Sequence, residues 1–118
     1  MKISFDFDST LTEKPMQELC TKFLKLGADV FITTSRGTEM YGGTKLDNSD
    51  VFQLADKLGI PRENITFTNF QDKYKFVKDF DAHFDDDDHE IFLINEYPYK
   101  CIGFLYEEKN KQNQQVNF

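Results

Sequence analysis

Apolar and polar positions change between two periods along the chain, and this change predicts strands and helices in turn. Short apolar or β-branched runs that alternate with polar residues predict strands. These runs span residues 2–7, 29–34, 64–68, 81–84 and 101–106. Between them, apolar residues spaced three or four apart predict amphipathic helices. These helices span residues 16–26, 49–58, 71–80 and 89–95.

Strands that alternate with helices in this way predict an α/β domain. We expect a three-layer Rossmann-like arrangement, in which helices cover both faces of a mostly parallel five-stranded sheet. A single domain over residues 1–106 accounts for the pattern, and the Lys-, Asn- and Gln-rich residues 107–118 predict a loose polar tail. In such sheets ligands bind at the carboxyl ends of the strands. The residues that directly follow each strand are therefore the candidates for function.

Two aspartates, Asp6 and Asp8, lie on either side of a phenylalanine at the end of the first predicted strand. Strand alternation would point both side chains to the same side, about 7 Å apart. Two carboxylates this close repel each other unless a cation or a proton lies between them. Taken alone, the pattern fits an ordinary polar strand end equally well, so it needs support from elsewhere in the chain.

A second group of aspartates follows the fourth predicted strand, at residues 85–88. Because parallel strands bring their carboxyl ends to one edge of the sheet, Asp85 or Asp86 can join the first pair. Several carboxylates around one point form a site for a hard cation, with Mg²⁺ as the usual occupant. An aspartate run is otherwise typical of a solvated turn, which is our interpretation of Asp87 and Asp88.

Two further strand ends carry groups that suit phosphate. Thr34, Ser35 and Arg36 follow the second strand, where a hydroxyl and free backbone N–H groups can bind a phosphoryl oxygen. Lys73 follows the third strand, near the start of the helix predicted there, and its charge suits phosphate or the aspartates. Taken singly, the first segment also fits a plain turn, and the lysine fits a solvated helix face. Lys75 is close enough to take the same role.

The patterns Asp-x-Asp-x-Thr, Thr, Lys and Asp-Asp thus follow successive strands in this order. In these residues the chain resembles the haloacid dehalogenase-like (HAD) hydrolase superfamily, and the resemblance extends over about residues 2–105. The first of these patterns is the specific one. The matching stretches are residues 3–12, residues 30–36, Lys73 and residues 83–86.

The resemblance implies a role for each of these residues. Asp6 would be the nucleophile and a metal ligand, and Asp8 the general acid and base, with its backbone carbonyl on the metal. Lys73 would hold Asp6 and the phosphate together. Thr10 would brace the loop. Thr34, with Ser35 and Arg36, would bind the phosphate. Asp86, with Asp85 beside it, would complete the Mg²⁺ site.

The activity implied by the resemblance is hydrolysis of a phosphate monoester, with Mg²⁺ as the cofactor and an aspartyl-phosphate intermediate. Family members that have an aspartate at the position of Asp8 mostly resemble phosphatases or phosphotransferases, whereas the dehalogenase members lack this aspartate. No segment of this chain fits the cap domain of many relatives. We therefore expect an open site that takes a bulky substrate, or a homo-oligomer in which a neighbouring subunit covers the site. Arg36 resembles an arginine of nucleotide and polynucleotide phosphatases, so a nucleotide, a small phosphorylated metabolite or a phosphorylated end is the expected substrate.

The composition further narrows the classes of function and the cellular location that we expect for this chain. The 118-residue chain has 21 acidic and 14 basic side chains, and its net charge of −7 disfavours an extended nucleic acid as partner. Hydrophobic residues make up 39% of the chain, which suffices for one core, and no apolar run approaches the length of a membrane span. The N-terminus lacks a leader pattern, and Cys20 and Cys101 predict reduced thiols, so we expect a cytoplasmic protein.

Two other functions stay open at this point. A small chain without a cap also fits a non-catalytic binding or regulatory module that keeps the metal site. A phosphoacceptor like a receiver domain uses clustered aspartates too, although the Asp-x-Asp-x-Thr start fits it poorly. We interpret His83 as a sheet residue and His89 as the start of a helix, rather than as ligands.

Overall fold

The computed structural model describes residues 1–38 and 46–107. Five strands form one sheet in which every neighbouring pair is parallel. They are β1 (Lys2–Phe5), β2 (Asp29–Thr34), β3 (Ile65–Phe67), β4 (Ala82–Asp85) and β5 (Ile102–Leu105). The α-helices of the described residues are α1 (Lys14–Lys25), α2 (Ser49–Leu58) and α3 (Asp88–Glu96). The predicted α/β class with a parallel sheet is confirmed.

The strand order is β3-β2-β1-β4-β5, which places β1 in the centre. The chain runs outward from β1 to β3 and then crosses to the other side of β1 for β4 and β5. The direction of winding therefore reverses between β1 and β4, where the Asp6 backbone N–H donates to the Phe84 carbonyl at 2.8 Å. In parallel α/β sheets a crevice opens at such a reversal, and ligands bind there at the carboxyl ends of the strands.

Different helices cover the two faces of the sheet. α1 and α2 contact each other and cover one face, where Phe5, Ile32 and Cys20 are fully buried. α3 covers the other face together with the segment after β3, around Val77 and Ile94. Complete burial of a large apolar side chain such as Phe or Ile contributes about 1.5–3 kcal/mol to the free energy of unfolding. Each face of the sheet therefore has its own stabilising apolar cluster. Helices on both faces were predicted, and this is confirmed.

The first strand ends at Phe5, earlier than predicted, and the prediction of a common orientation for Asp6 and Asp8 is wrong. After Phe5 the chain enters an irregular turn, Phe7–Leu11, in which the Leu11 backbone N–H donates to the Asp6 carbonyl at 3.1 Å. Within this turn Asp8 is extended and Ser9 has a positive φ of 60°. Strand alternation therefore stops before the second aspartate, and the two carboxylates have different surroundings.

The predicted helix over residues 71–80 is also wrong. The structure has a single 3-10 turn, Lys73–Lys75, followed by further tight turns. Phe76, which an α-helix would bury with its neighbours, is 36% exposed. The inward residues are spaced three apart, as in successive tight turns rather than an α-helix, and are Tyr74, Val77 and Phe80.

Local signals explain the ends of the first two helices. α1 begins at Lys14, before the predicted start, because Pro15 is well suited to the first turn of a helix. α1 and α2 stop next to Gly27 and Gly59, whose φ angles of 85° and 89° strongly favour glycine.

Part of the segment between the second predicted strand and the second predicted helix, and nearly all of the predicted tail at residues 107–118, lie outside the described residues. Within the described ranges, no helix has both the length and the apolar character that a membrane crossing requires. Cys20 and Cys101 are buried free thiols, as expected from the sequence.

Candidate functional site

A buried lysine joins the ends of β1 and β4. The Lys73 Nζ lies 2.6 Å from Asp6 Oδ1 and 2.6 Å from Asp85 Oδ2. The side chains of Lys73, Asp6 and Asp85 are 3%, 7% and 0% exposed, so both ion pairs are shielded from water. Lys75, the other lysine considered from the sequence, is exposed. The structure therefore brings Lys73, and not Lys75, to aspartates that follow two different strands.

Asp86 completes a group of three carboxylates. Asp6, Asp85 and Asp86 each offer one oxygen, and these oxygens lie within 4.8 Å of one another. Thr10 links two of them, since its hydroxyl oxygen lies 3.3 Å from Asp6 Oδ2 and 3.2 Å from Asp86 Oδ1. We refer to Asp6, Lys73, Asp85 and Asp86 as the Lys73 cluster.

The charges of the Lys73 cluster fit a divalent cation. Three carboxylates face one ammonium in a mostly buried place, so the cluster carries two excess negative charges when all three carboxylates are ionised. Oxygen donors suit Mg²⁺, Ca²⁺ and Mn²⁺ alike, so the donor set alone does not select Mg²⁺. Asp85 has both oxygens engaged, because Oδ2 meets Lys73 and Oδ1 accepts from the Asp87 backbone N–H at 3.1 Å. Asp86 is only half-buried and is therefore the more accessible ligand.

Burial and neighbouring charges set the protonation of the Lys73 cluster. Burial raises the pKa of Asp6 and Asp85 adds to the rise, while Lys73 opposes it. Burial would also raise the pKa of Asp85, but the hydrogen bond from His83 and the charge and hydrogen bond of Lys73 outweigh this and lower it. Burial would lower the pKa of Lys73, but the two carboxylates outweigh this and raise it. Lys73 therefore stays charged, and Asp6 gains most from a further cation.

A line of buried hydrogen bonds leads from Asp85 across the sheet. His83 Nε2 lies 2.8 Å from Asp85 Oδ2, and His83 Nδ1 lies 2.9 Å from Ser4 Oγ. Ser4 Oγ in turn lies 2.7 Å from Thr33 Oγ1. Burial lowers the pKa of His83, which favours the neutral ring. The interpretation of His83 as a sheet residue is confirmed, and both of its ring nitrogens have partners.

Sequence reasoning did not assign His83 or Glu90 to the site. Glu90 Oε2 accepts a hydrogen bond from the Lys73 backbone N–H at 3.0 Å, which fixes the turn that carries the lysine. Burial raises the pKa of Glu90. A signal for His83 was present in the sequence, because His83 and Asp85 are two apart on a strand and therefore share a face. Nothing comparable pointed to Glu90, whose partner lies 17 residues away.

The remaining aspartates of the acidic run have a structural role. The Asp87 carboxylate caps α3 by accepting from the backbone N–H groups of His89 at 2.9 Å and Glu90 at 3.4 Å. Asp88 is the first residue of α3, where a negative charge interacts favourably with the helix dipole. This placement agrees with the interpretation of Asp87 and Asp88 as turn residues rather than ligands.

A second and more exposed cluster surrounds Arg36. Its guanidinium donates to Asp8 at 3.0 and 2.7 Å and to Asp50 at 2.7 and 2.9 Å. The two carboxylates are 57% and 55% exposed, and the guanidinium lies 5.0 Å from the centroid of the Phe7 ring. We refer to Arg36, Asp8 and Asp50 as the Arg36 cluster. The Asp8 side chain belongs to this cluster, and a metal contact through its backbone carbonyl stays a prediction.

The other two predicted phosphate-binding residues follow β2. Thr34 is buried, and its Oγ1 accepts a hydrogen bond from the Arg36 backbone N–H at 3.4 Å. Ser35 is exposed, and its carbonyl oxygen accepts from the Phe70 backbone N–H at 2.8 Å. Because β2 lies beside β1, both residues are at the carboxyl edge of the sheet, one strand away from Asp6. Neither of these contacts involves the Lys73 cluster.

Comparisons with known proteins found no relative of this chain. No protein-family model, no curated protein and no solved structure matches the chain. The assignment of a function therefore depends on the sequence pattern and on the geometry of the two clusters.

Proposed function

We propose that this protein is a Mg²⁺-dependent phosphatase of the HAD type, which hydrolyses a phosphate monoester through an aspartyl-phosphate on Asp6. The observation that carries the proposal is the Lys73 cluster itself. A buried lysine bonds Asp6 and Asp85 at 2.6 Å each, with Asp86 beside them, where the winding of the sheet reverses. These residues are distant in sequence, and they are the ones on which the resemblance to the family depends.

Asp6, Asp85 and Asp86 are the residues that would hold the cation. Their three carboxylates exceed the single charge of Lys73, and burial leaves the excess poorly solvated. When bound, Mg²⁺ would offset the negative charge of the phosphate and of the carboxylates, so that an anionic nucleophile can approach an anionic substrate. Asp86 is the more accessible ligand, and Asp85 chiefly holds Lys73 in place.

The chain's own side chains account for the two chemical steps. An oxygen of the Asp6 carboxylate attacks phosphorus, the bond from phosphorus to the ester oxygen breaks, and Asp8 gives the leaving oxygen a proton. Water then attacks the phosphorus, Asp8 takes a proton from that water, and the bond to Asp6 breaks. Lys73 offsets charge on Asp6 and on the phosphoryl oxygens during both displacements.

Asp8 must leave Arg36 to take part in this chemistry. The Asp8 side chain is 57% exposed, so water can solvate its carboxylate when it leaves Arg36, and Arg36 keeps its second carboxylate partner, Asp50. Rotation of the Asp8 side chain toward the substrate therefore leaves no buried charge without a partner. Once Asp8 turns away, Arg36 regains free donors for a phosphate or a second anionic group of the substrate.

The space next to Arg36 suits part of a substrate. A cavity of about 360 Å³ opens there, and Asn48, Asp50 and Phe70 contribute to its walls. A nucleotide, a small phosphorylated metabolite or a phosphorylated end fits this proposal. A homo-oligomer in which a second subunit covers the site stays a prediction.

Phosphate release from p-nitrophenyl phosphate tests the proposal. We expect release that requires Mg²⁺, stops with a chelator and falls at least about 10³-fold in Asp6→Asn, because the nucleophile is lost. Asp88→Asn is the matched control, since Asp88 is an exposed aspartate of the acidic run outside the Lys73 cluster. Full activity in Asp6→Asn, or equal loss in Asp88→Asn, would contradict the proposal.

One observation favours a second candidate, a binding or regulatory module that keeps the metal site. The Asp8 carboxylate is held by Arg36 and lies outside the carboxylate group of the Lys73 cluster, as expected if no acid or base is needed. Beryllofluoride distinguishes the two candidates, because it mimics a phosphoryl group on a nucleophilic aspartate. Mg²⁺-dependent trapping on Asp6 supports the phosphatase, and a protein that binds Mg²⁺ without trapping supports the module.

A further inference from the structure

Three neighbouring strands place hydrophilic side chains in one buried line. Thr33 on β2, Ser4 on β1 and His83 on β4 are 1%, 0% and 0% exposed. The distances from Thr33 Oγ1 to Ser4 Oγ and from Ser4 Oγ to His83 Nδ1 are 2.7 and 2.9 Å. Buried polar groups cost free energy unless they are hydrogen-bonded, and apolar side chains would fill the same space at no such cost. The line ends on Asp85, so its position connects it to the Lys73 cluster.

The partners of the line fix the direction of its hydrogen bonds. Asp85 Oδ2 already accepts from the Lys73 ammonium at 2.6 Å, so the nearby buried histidine does not readily take a second positive charge. The carboxylate only accepts, and the neutral ring therefore carries its proton on Nε2 and donates it to Asp85. Nδ1 is then an acceptor for the Ser4 hydroxyl, and Ser4 Oγ accepts from the Thr33 hydroxyl.

The consequence for Asp85 is a carboxylate held on both oxygens. His83 and Lys73 donate to Oδ2 at 2.8 and 2.6 Å, and the Asp87 backbone N–H donates to Oδ1 at 3.1 Å. Without the donor on His83, Oδ2 would bind Lys73 alone, and the carboxylate could turn about its side-chain bond. Lys73 would then follow Asp85 and lose its fixed position 2.6 Å from Asp6.

We propose that His83 is a positioning residue in the Nε2–H form that Asp85 requires, supported at Nδ1 by Ser4 and Thr33, and that it orients Asp85 so that Lys73 stays on Asp6. The inference rests on the proposed phosphatase activity and extends it to residues that the mechanism does not otherwise use. His83 touches neither the expected phosphate nor the three-carboxylate group except through Asp85.

Two substitutions at His83 separate orientation from simple packing. His83→Gln keeps an N–H donor near the position of Nε2, whereas His83→Asn keeps a group near Nδ1 for Ser4 and loses the donor to Asp85. With p-nitrophenyl phosphate and Mg²⁺, we expect His83→Asn to lower kcat about 10- to 100-fold with KM nearly unchanged, and His83→Gln to restore most of it. Thermal unfolding of both variants measures the folded fraction to which the rates are normalised.

The control variant is His89→Gln, because His89 is exposed at the start of α3 and outside both clusters. It should behave as the unaltered protein. If His83→Asn keeps full kcat, or if both variants at His83 lose the same fraction of it when normalised, His83 does not act through Asp85 and the proposal is overturned.

A measurement that needs no activity tests the same proposal. Nitrogen NMR of the ¹⁵N-labelled full chain distinguishes a protonated from an unprotonated ring nitrogen. We expect His83 to carry hydrogen on Nε2 only, both in the unaltered protein and in Ser4→Ala, because the Asp85 carboxylate that faces Nε2 can only accept. A proton on Nδ1, or a doubly protonated ring, in the unaltered protein would contradict the proposal.

The two proposals can fail separately. If the unaltered protein releases no phosphate at any Mg²⁺ concentration, the proposed phosphatase activity is contradicted, whatever the NMR experiment shows. An active protein with the wrong ring form, or with full activity in His83→Asn, contradicts only the positioning role.

Discussion

Two basic side chains of this protein each hold two aspartates, and they do so under opposite conditions. Lys73 bonds Asp6 and Asp85 where all three side chains are at most 7% exposed. Arg36 bonds Asp8 and Asp50 with comparable distances, but Arg36 is 25% exposed and its partners are more than half exposed. Each basic side chain thus has two aspartate partners, and the two clusters differ in how far water reaches them.

This difference separates a fixed part of the site from a movable part. In the buried cluster, removal of one partner leaves a charge that water cannot solvate, so the arrangement is costly to break. In the exposed cluster, water replaces a lost partner at little cost. The proposed nucleophile Asp6 is in the fixed part and the proposed acid and base Asp8 is in the movable part, as the two proposed roles require.

Removal of the lysine charge should give the largest effect on stability. Lys73→Met leaves Asp6 and Asp85 buried without their cation, and we expect the free energy of unfolding to fall by about 3–5 kcal/mol. Urea denaturation at neutral pH without metal measures it. Lys75→Met is the matched control, because Lys75 is exposed, and it should change the value by less than about 0.5 kcal/mol. Equal effects of the two substitutions would remove the contrast between the clusters.

Addition of Mg²⁺ should stabilise the buried cluster next most strongly. A ligand at 100 times its Kd raises the free energy of unfolding by about 2.7 kcal/mol, and we expect a rise of this order for saturating Mg²⁺. Asp86→Asn should remove most of the rise, and Asp88→Asn should keep it. A rise that persists in Asp86→Asn would place the cation elsewhere.

The pH dependence of this rise has a definite sign. Burial and Asp85 raise the pKa of Asp6, so the folded protein without metal binds a proton that the unfolded chain does not. The stability contributed by this group is therefore greatest below its ordinary pKa and falls as pH increases. A proton on Asp6 competes with Mg²⁺, so the stabilisation by Mg²⁺ should grow from pH 6 to pH 8. A larger Mg²⁺ effect at the lower pH would contradict this account.

The exposed cluster should show the smallest effect. Arg36→Ala removes the bonds to Asp8 and Asp50, and we expect the free energy of unfolding to fall by about 1–2 kcal/mol, because water can solvate the two carboxylates but the bidentate bonds are lost. Arg62→Ala is a suitable control, because Arg62 forms one exposed ion pair with Asp56 at 2.7 Å. A loss from Arg36→Ala that approaches that of Lys73→Met would show that the Arg36 cluster is not movable.

The sequence predicted the parallel sheet and the approach of Asp6, Lys73 and Asp85 well, because both follow from local patterns, but it did not predict the pairing of Arg36 with Asp8 and Asp50. Apolar runs defined all five strands, and parallel strands necessarily bring the residues after β1 and β4 to one edge. Turn geometry was less predictable. The strand gives way to the turn Phe7–Leu11 between Asp6 and Asp8, and no periodic pattern contains that information.

Side-chain partners far apart in sequence were the least predictable. The sequence favoured Lys73 but left Lys75 open, and the tight turn buries Lys73 and leaves Lys75 exposed. This turn lies where an α-helix was predicted over residues 71–80. A spacing of three between apolar residues is compatible with an α-helix and with successive tight turns, so the pattern did not distinguish them. His83 and Ser4 meet across 79 residues, and only the strand order places them side by side.

The central claim is that Asp6 is the residue that takes the phosphoryl group, and capture of that intermediate tests it most directly. In Asp8→Asn, p-nitrophenyl phosphate should still react, because its leaving group needs no proton, while water attack is slowed without the base. After incubation with Mg²⁺ and acid quenching, mass spectrometry of peptides should show a phosphoryl group on Asp6. The double variant with Asp6→Asn and Asp8→Asn should show none. Phosphate release without any adduct, or an adduct on another residue, would contradict the account.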